Sequence, residues 1–331
     1  MKITMKKSWN LLFIFQLLAL SLFAQGPNNT GTYYQAADGL KGKALKTAMF
    51  KIIKNHTSLS YNALWEAFKT TDMRDDGKVW DMYSCTTNFR FGTDQAGNYK
   101  NEGDKYNREH SFPKSWFNDA APMYTDLVHL VPTDGKVNGM RSNNPFGETN
   151  GDTYKSNQGF SKLGTCTYPG YTGTVFEPND IYKGDFARIY FYMATAYEDK
   201  ITNWNQTAIL QKDAYKPYKT WQLNMLMKWS KNDPVSQKEI NRNKGIQAKQ
   251  NNRNPFVDYP GLEEYIWGSM TNVAFSYDHY QDPTTSIPFI EVNVEPLYPE
   301  GWYNLNGQKV GKERPTQKGI YIYHGKKVIV E

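Results

Sequence analysis

Two stretches decide how this chain reads. The first is Tyr106-Asn-Arg-Glu-His-Ser-Phe-Pro-Lys-Ser-Trp116. The second is Asp126-Leu-Val-His-Leu-Val-Pro-Thr-Asp-Gly-Lys-Val-Asn-Gly-Met-Arg-Ser-Asn-Asn-Pro-Phe146. A neutral imidazole such as that of His110 can take a proton from water near neutral pH. A carboxylate and a side-chain amide form an oxygen pair suited to a hard divalent ion that keeps most of its waters. Arginines nearby could grip a phosphate with two parallel hydrogen bonds. Adjacent residues of a regular strand point to opposite faces, so Glu109 and His110 share one site only if the backbone turns there. Pro113 makes such an irregularity plausible. His129 lies in an apolar, strand-like run and reads as a hydrogen-bonded structural histidine.

Around these stretches the chain is mostly helical. Lys43 to Lys54 sets Leu45, Met49, Ile52 and Ile53 near one face, and Ser60 can cap a second helix from about Tyr61 to Thr70. Lys78 to Ser84 reads as a strand and Asn88 to Asp104 as a loop. From Gly184 to Asp199, Phe186, Ile189, Tyr190, Met193, Ala194 and Tyr197 form one apolar stripe, with Arg188 off it. A helix over Thr220 to Trp229 follows. Asp233 before Pro234 then reads as the cap of another, running to about Gln250. Residues 271–296, with four acids, no base and three prolines, read as a linker. Beyond it, Asn306-Gly307 and His324-Gly325 are turns between short alternating runs, a small all-β tail over 297–331.

Composition narrows the function. The 331 residues are 39% hydrophobic and 15% aromatic with a mean hydropathy of -0.72, enough for a packed core and too polar for a polytopic membrane protein. Residues 1–24 carry Lys2, Lys6 and Lys7, an apolar run from Leu11 to Phe23 and Ala24, the pattern of a secretory signal. The run is short for a membrane span. Two cysteines, Cys85 and Cys166, are too few for a cysteine-built zinc ribbon, and they could pair or stay free. The net charge of +6 comes from the two ends, and the body over 25–296 is formally neutral. Within it, residues 200–253 hold eleven Lys+Arg against three acids, with Trp204, Tyr215, Tyr218, Trp221 and Trp229 interleaved. That stripe is either a phosphate-and-base surface or a solvated helical face with its aromatics turned inward. The chain has no Gly-x-Ser-x-Gly elbow and no His-Glu-x-x-His helix, the usual marks of serine esterases and zinc proteases.

Taken together, the motifs resemble the endonuclease I family of secreted, metal-dependent nucleases. The residues are Arg108-Glu109-His110 with Pro113 and Trp116, Asp126 to Leu130 with Pro132, Val137-Asn138-Gly139, Arg141-Ser142-Asn143 and Pro145 to Glu148. Lys183 to Arg188, Tyr190 to Met193 and Asn252 to Phe256 follow in family order, so the resemblance spans about 45–270. It implies an α+β fold: a ββα-metal (His-Me finger) nuclease core surrounded by helices over 25–270. By the same resemblance His110 is the general base, Glu109 and Asn138 hold one Mg²⁺ (with Ca²⁺ or Mn²⁺ as substitutes), and Arg141, Arg188 and Arg253 face substrate phosphates. The expected substrates are DNA and RNA, cut with little sequence specificity by a monomer. Gly301 to Gly307, Lys318 to Tyr321 and Gly325 to Val328 resemble Bacteroidetes type IX secretion sorting domains, which implies delivery outside the cell by that machinery. The alternative is a secreted nucleic-acid-binding protein without hydrolysis, which would not need the Glu109, His110 and Asn138 trio.

Overall fold

The computed structural model describes residues 25–85, 88–284, 301–305, 308–323 and 326–330, so the signal-like segment lies outside the described residues. The chain divides into two units between Thr285 and Ser286.

In the larger unit, α1 (Gly42–Ile53) buries Leu45, Ala48, Met49 and Ile53. The α2 helix (Ala63–Thr71) starts where the Ser60 hydroxyl accepts the Ala63 N–H at 3.2 Å. The expected strand over 78–84 is irregular, with a single bridge from Val79 to Met73. Asp81 bends the chain there by accepting the Tyr83 N–H at 2.7 Å, although Val79, Met82 and Tyr83 are buried as a strand would bury them. Next come β1 (Tyr106–His110) and β2 (Leu130–Asp134), paired antiparallel from Tyr106 opposite Asp134 to His110 opposite Leu130. The chain passes straight from β2 into α3 (Gly135–Arg141), capped by Asp134, whose carboxylate accepts the Val137 N–H at 2.9 Å. A second small antiparallel sheet joins β3 (Tyr154–Lys155), β4 (Lys162–Thr165) and β5 (Thr174–Glu177).

The middle of the unit is α4 (Lys183–Ala196), packed against α1 and against α5 (Thr220–Asn232). The sequence suggests a one-sided stripe, yet every residue from Gly184 to Ala196 is buried. The polar ones are satisfied inside, Asp185 by Lys238 at 2.8 Å and Arg188 by Glu239 at 2.6 Å. Asp233 caps α4, accepting the Gly184 N–H at 2.8 Å, and does not open the following helix as expected. A Cβ at Gly184 would collide with the Asp233 carbonyl, so only glycine allows this approach. The start of α6 (Gln237–Gln250) is fixed by a capping box between Ser236 and Glu239. Two short helices, α7 (Pro255–Asp258) and α8 (Leu262–Ile266), follow. The described part of the segment expected as a linker, residues 271–284, packs on the larger unit. Phe275 and Tyr277 are buried, Tyr280 packs on Tyr259 and Tyr265, and Gly39 and Leu40 exchange backbone hydrogen bonds with Phe275. Its aromatic residues hold the first part of that acidic segment against the core.

The smaller unit is an antiparallel sheet of β6 (Trp302–Tyr303), β7 (Lys309–Gly311), β8 (Gly319–Tyr323) and β9 (Lys326–Val330), in the order β7-β6-β8-β9. It is all-β, as the alternation suggests, and the two expected turn dipeptides lie outside the described residues. Trp302 stacks on Tyr323 with ring centroids 4.6 Å apart. Cys85 and Cys166 are both free thiols. Among the described residues no helix is long and apolar enough to cross a membrane.

Candidate active site

Strand alternation organises the site. Arg108 and His110 leave β1 on one face, toward Tyr61: the Arg108 guanidinium lies 3.5 Å from that ring's centre, and the His110 ring stacks 6.1 Å from it. Glu109 leaves on the other face, toward α3, where Arg141 donates to its Oε1 at 2.6 Å. The two adjacent residues therefore do not share a face. Both lie at the C-terminal end of β1.

His110 is 6% exposed and flanked by Tyr61 and Tyr124. Its Nε2 sits 3.0 Å from the Tyr124 carbonyl oxygen. A carbonyl only accepts, so Nε2 carries the hydrogen and Nδ1 keeps the lone pair. Nδ1 makes no hydrogen bond among the described residues and is not sealed off, unlike the enclosed, unpartnered Nδ1 of His129. Burial is the largest cause holding the His110 pKa down, to about 3, and the neighbouring His129, Lys114 and Arg108 add to it. The ring is thus a neutral base with one open nitrogen. His129 is fully buried with Nε2 2.7 Å from the Met123 carbonyl, a structural role as expected.

Glu109 is 5% exposed. Its Oε1 accepts from Arg141 and from the Tyr83 hydroxyl at 3.0 Å, the His110 backbone N–H also stabilises the carboxylate, and Oε2 is not sealed off. Burial pushes its carboxyl pKa up, only partly offset by Arg141. Asn138 lies three residues before Arg141 on α3, the spacing that shares a helix face, and its side-chain amide makes no hydrogen bond among the described residues. Gly135 and Gly139 leave room for the Tyr99 ring across the same helix, where a Cβ would meet it at 2.6 and 2.9 Å. An accessible carboxylate oxygen and an amide oxygen without a hydrogen bond among the described residues are donors of the kind a hard divalent ion takes within a mostly aqueous shell. Among the described residues no group of three or more His, Cys, Asp or Glu converges to hold a metal. A two-ligand oxygen site does not require one.

The three arginines expected at the phosphates are elsewhere engaged. Arg188 is 1% exposed and holds Glu239 through Nε at 2.6 Å and Nη2 at 2.9 Å. Arg253 is equally buried and bidentate to Asp258. Each carries a charge that folding could bury only beside a carboxylate, so neither can reach a substrate. Arg141 is also buried. It clamps Glu109 and the carbonyls of His110, Ser111 and Asn144, which makes it a positioning residue at the end of β1. The basic stripe over 200–253 fails as a stacking surface for a similar reason. Trp204, Tyr218, Trp221 and Trp229 are buried, Arg242 is inside against Asp72, and Lys228 and Lys238 pair with Glu148 and Asp185.

The side chains that do surround His110 come from segments far apart in sequence. Tyr61 precedes α2, and Tyr124 lies in a short 3-10 turn, Met123–Thr125. Lys114, in a turn over Lys114–Phe117, carries its Nζ 5.6 Å above the Tyr124 ring and 2.8 Å from Asp119. No spacing rule joins them. Arg108 was within reach of one, being two residues before His110 on the same strand face.

A strand pair passing directly into a helix, with histidine and carboxylate at the strand end and asparagine on the helix, sits inside a region that matches a family model. The model for endonuclease I covers residues 41–261. The chain belongs to the endonuclease I family. It is 38% identical over 244 residues to an extracellular ribonuclease of Bacillus amyloliquefaciens, covering 72% of this chain and 79% of that protein. An extracellular ribonuclease of Bacillus subtilis is 38% identical over 258 residues, 76% of this chain and 83% of its own. An extracellular deoxyribonuclease of Aeromonas hydrophila is 29% identical over 168 residues, 50% of this chain and 56% of its own.

Proposed function

We propose that this protein is a secreted endonuclease that hydrolyses phosphodiester bonds of DNA and RNA, with little sequence specificity and with a divalent metal, Mg²⁺ by the chemistry of its oxygen ligands. The observation that carries the reading is the state of His110, a ring pinned through Nε2 with a neutral Nδ1 that is not sealed off, next in sequence to a buried carboxylate held by Arg141. Membership of a nuclease family and relatives named for RNA in one case and DNA in another support the substrate class. Similarity to extracellular enzymes and the signal-like start support secretion. The tail's likeness to sorting domains supports export by that machinery. A monomer is the simplest state for such an enzyme.

In this reading the scissile phosphate lies across the end of β1. His110 Nδ1 takes a proton from a water, whose oxygen attacks phosphorus as the bond to the leaving 3′-oxygen breaks in line. The Tyr124 carbonyl keeps Nε2 protonated, so the ring can accept only at Nδ1. Glu109 and Asn138 would hold the ion. When bound, it acts as a Lewis acid that lowers the cost of charge building on the phosphoryl and leaving oxygens. Arg141 and Tyr83 hold the Glu109 carboxylate in one rotamer so that its other oxygen stays presented. Binding through phosphates rather than base edges matches tolerance of base identity.

The test uses the chain from Gln25 onward with supercoiled plasmid, single-stranded DNA and RNA, each with Mg²⁺ or excess EDTA. Metal-dependent cleavage of any of the three supports the enzyme, and the three together give its sugar and strand preference. Full activity in EDTA would remove the metal, and binding without cleavage would make the protein a secreted nucleic-acid binder.

A further inference from the structure

The arginines of the larger unit follow one rule with one exception. Arg74, Arg90, Arg141, Arg188, Arg242 and Arg253 each lie within salt-bridge distance of a carboxylate. Arg108 has no carboxylate partner among the described residues. It is not free to move away into water either. Its guanidinium is held between two rings, 3.5 Å from the centre of Tyr61 and 4.3 Å from that of Trp65, and Nη1 donates to the Tyr61 carbonyl at 2.6 Å. The guanidinium also interacts with the Tyr61 side chain, and none of its nitrogens is sealed off without a partner. A half-buried guanidinium without a counter-charge is unfavourable unless an anion can reach it. A planar cation immobilised by stacking, with donors left over, is set up to receive a planar pair of anionic oxygens.

We infer that Arg108 is the substrate-phosphate ligand of this site, binding a phosphodiester of the nucleic acid next to the one that His110 addresses, with Tyr61 and Trp65 as the residues that position it. This rests on the nuclease reading and deepens it. Arg108 and His110 are two residues apart on one face of β1, and both side chains lie against the Tyr61 ring, so a phosphate held by one is next to the other. Lys114, on the far side of Tyr124, adds charge to the same face but is held by Asp119. The guanidinium is already ordered by its two rings, so little side-chain entropy is lost when the phosphate arrives.

The experiment measures binding of a fluorescein-labelled single-stranded DNA oligomer to the full mature chain carrying His110→Ala, with and without Arg108→Ala, across a salt series. Removing one phosphate ligand should lower the slope of log K against log salt by about 0.7, and weaken binding most at low salt. In the catalytically intact chain, Arg108→Ala should raise KM more than it lowers kcat, and Arg108→Lys should recover part of the salt slope without the stacking. Circular dichroism of each variant shows whether the fold is kept. If Arg108→Ala upsets packing at Trp65, Arg108→Met, which keeps the bulk between the rings without the charge, gives the same reading. An unchanged slope and KM in a folded Arg108→Met variant would overturn the assignment while leaving the nuclease intact. A parent chain that neither cuts nor binds any nucleic acid would instead defeat the nuclease reading itself.

Discussion

Replacing Arg188 by alanine separates two accounts of that residue. Its guanidinium is 2% exposed against a 5% exposed Glu239, at 2.6 and 2.9 Å, and Nη1 also reaches the Asp233 carbonyl at 2.9 Å. Glu239 in turn forms the capping box of α6. Alanine leaves that carboxylate buried and unpaired, and breaking such a pair from one side costs about 3–5 kcal/mol. For a domain near this size, each kcal/mol moves Tm by ~2–4 °C, so a fall of roughly 6–20 °C is expected. Removing the partner charge as well, in Arg188→Met with Glu239→Gln, should recover part of the loss. The assay is thermal unfolding by circular dichroism, with kcat/KM on plasmid DNA measured well below the variant's Tm. The prediction is a large loss of stability with unchanged kcat/KM. An unchanged Tm with KM raised about tenfold, the ~1.4 kcal/mol of one substrate interaction removed, would refute the reasoning and return Arg188 to the phosphates.

Other outcomes follow from the same structure. Asn138→Ala, at a half-buried amide with no hydrogen bond to lose, should leave Tm nearly unchanged and raise the Mg²⁺ concentration needed for half-maximal rate, which a metal titration measures. The protein unfolded in guanidinium without reductant should react with two equivalents of a thiol reagent, because Cys85 and Cys166 are both free, and the folded protein should react first at the less buried Cys85. Deleting 297–331 should leave specific activity of the purified enzyme intact and stop its appearance in culture medium. Undiminished export of the shortened chain would discard the sorting role of the tail.

The helices were legible where a periodic apolar face settled their packing. Leu45 and Met49 in α1 and Leu64 and Phe68 in α2 are buried as their spacing implies. Periodicity says less once a helix is surrounded. In α4 the polar Asp185 and Arg188 are as enclosed as the stripe beside them, because acids and bases about 50 residues away complete them. The same distance hides the true cap: Asp233 looks like the start of its own next helix and serves α4 instead. At the site, the strand ending at His110 and the helix carrying Asn138, which the family resemblance implied, are both present. What lies around them was not legible. Tyr61 reaches the His110 face from 49 residues away, and Arg188 and Arg253, chosen from family motifs, are ion-pair partners of Glu239 and Asp258, carboxylates those motifs do not contain.

If His110, presenting Nδ1, is the base of a phosphodiesterase, its removal must abolish most of the chemistry and spare the binding. The direct measurement is the single-turnover cleavage rate of supercoiled plasmid by the wild-type chain and by His110→Ala, at saturating Mg²⁺, with both shown to be folded. Loss of a positioned base predicts a fall of about 10²- to 10⁴-fold with DNA binding retained. A folded His110→Ala protein that cleaves at the wild-type rate would contradict the account.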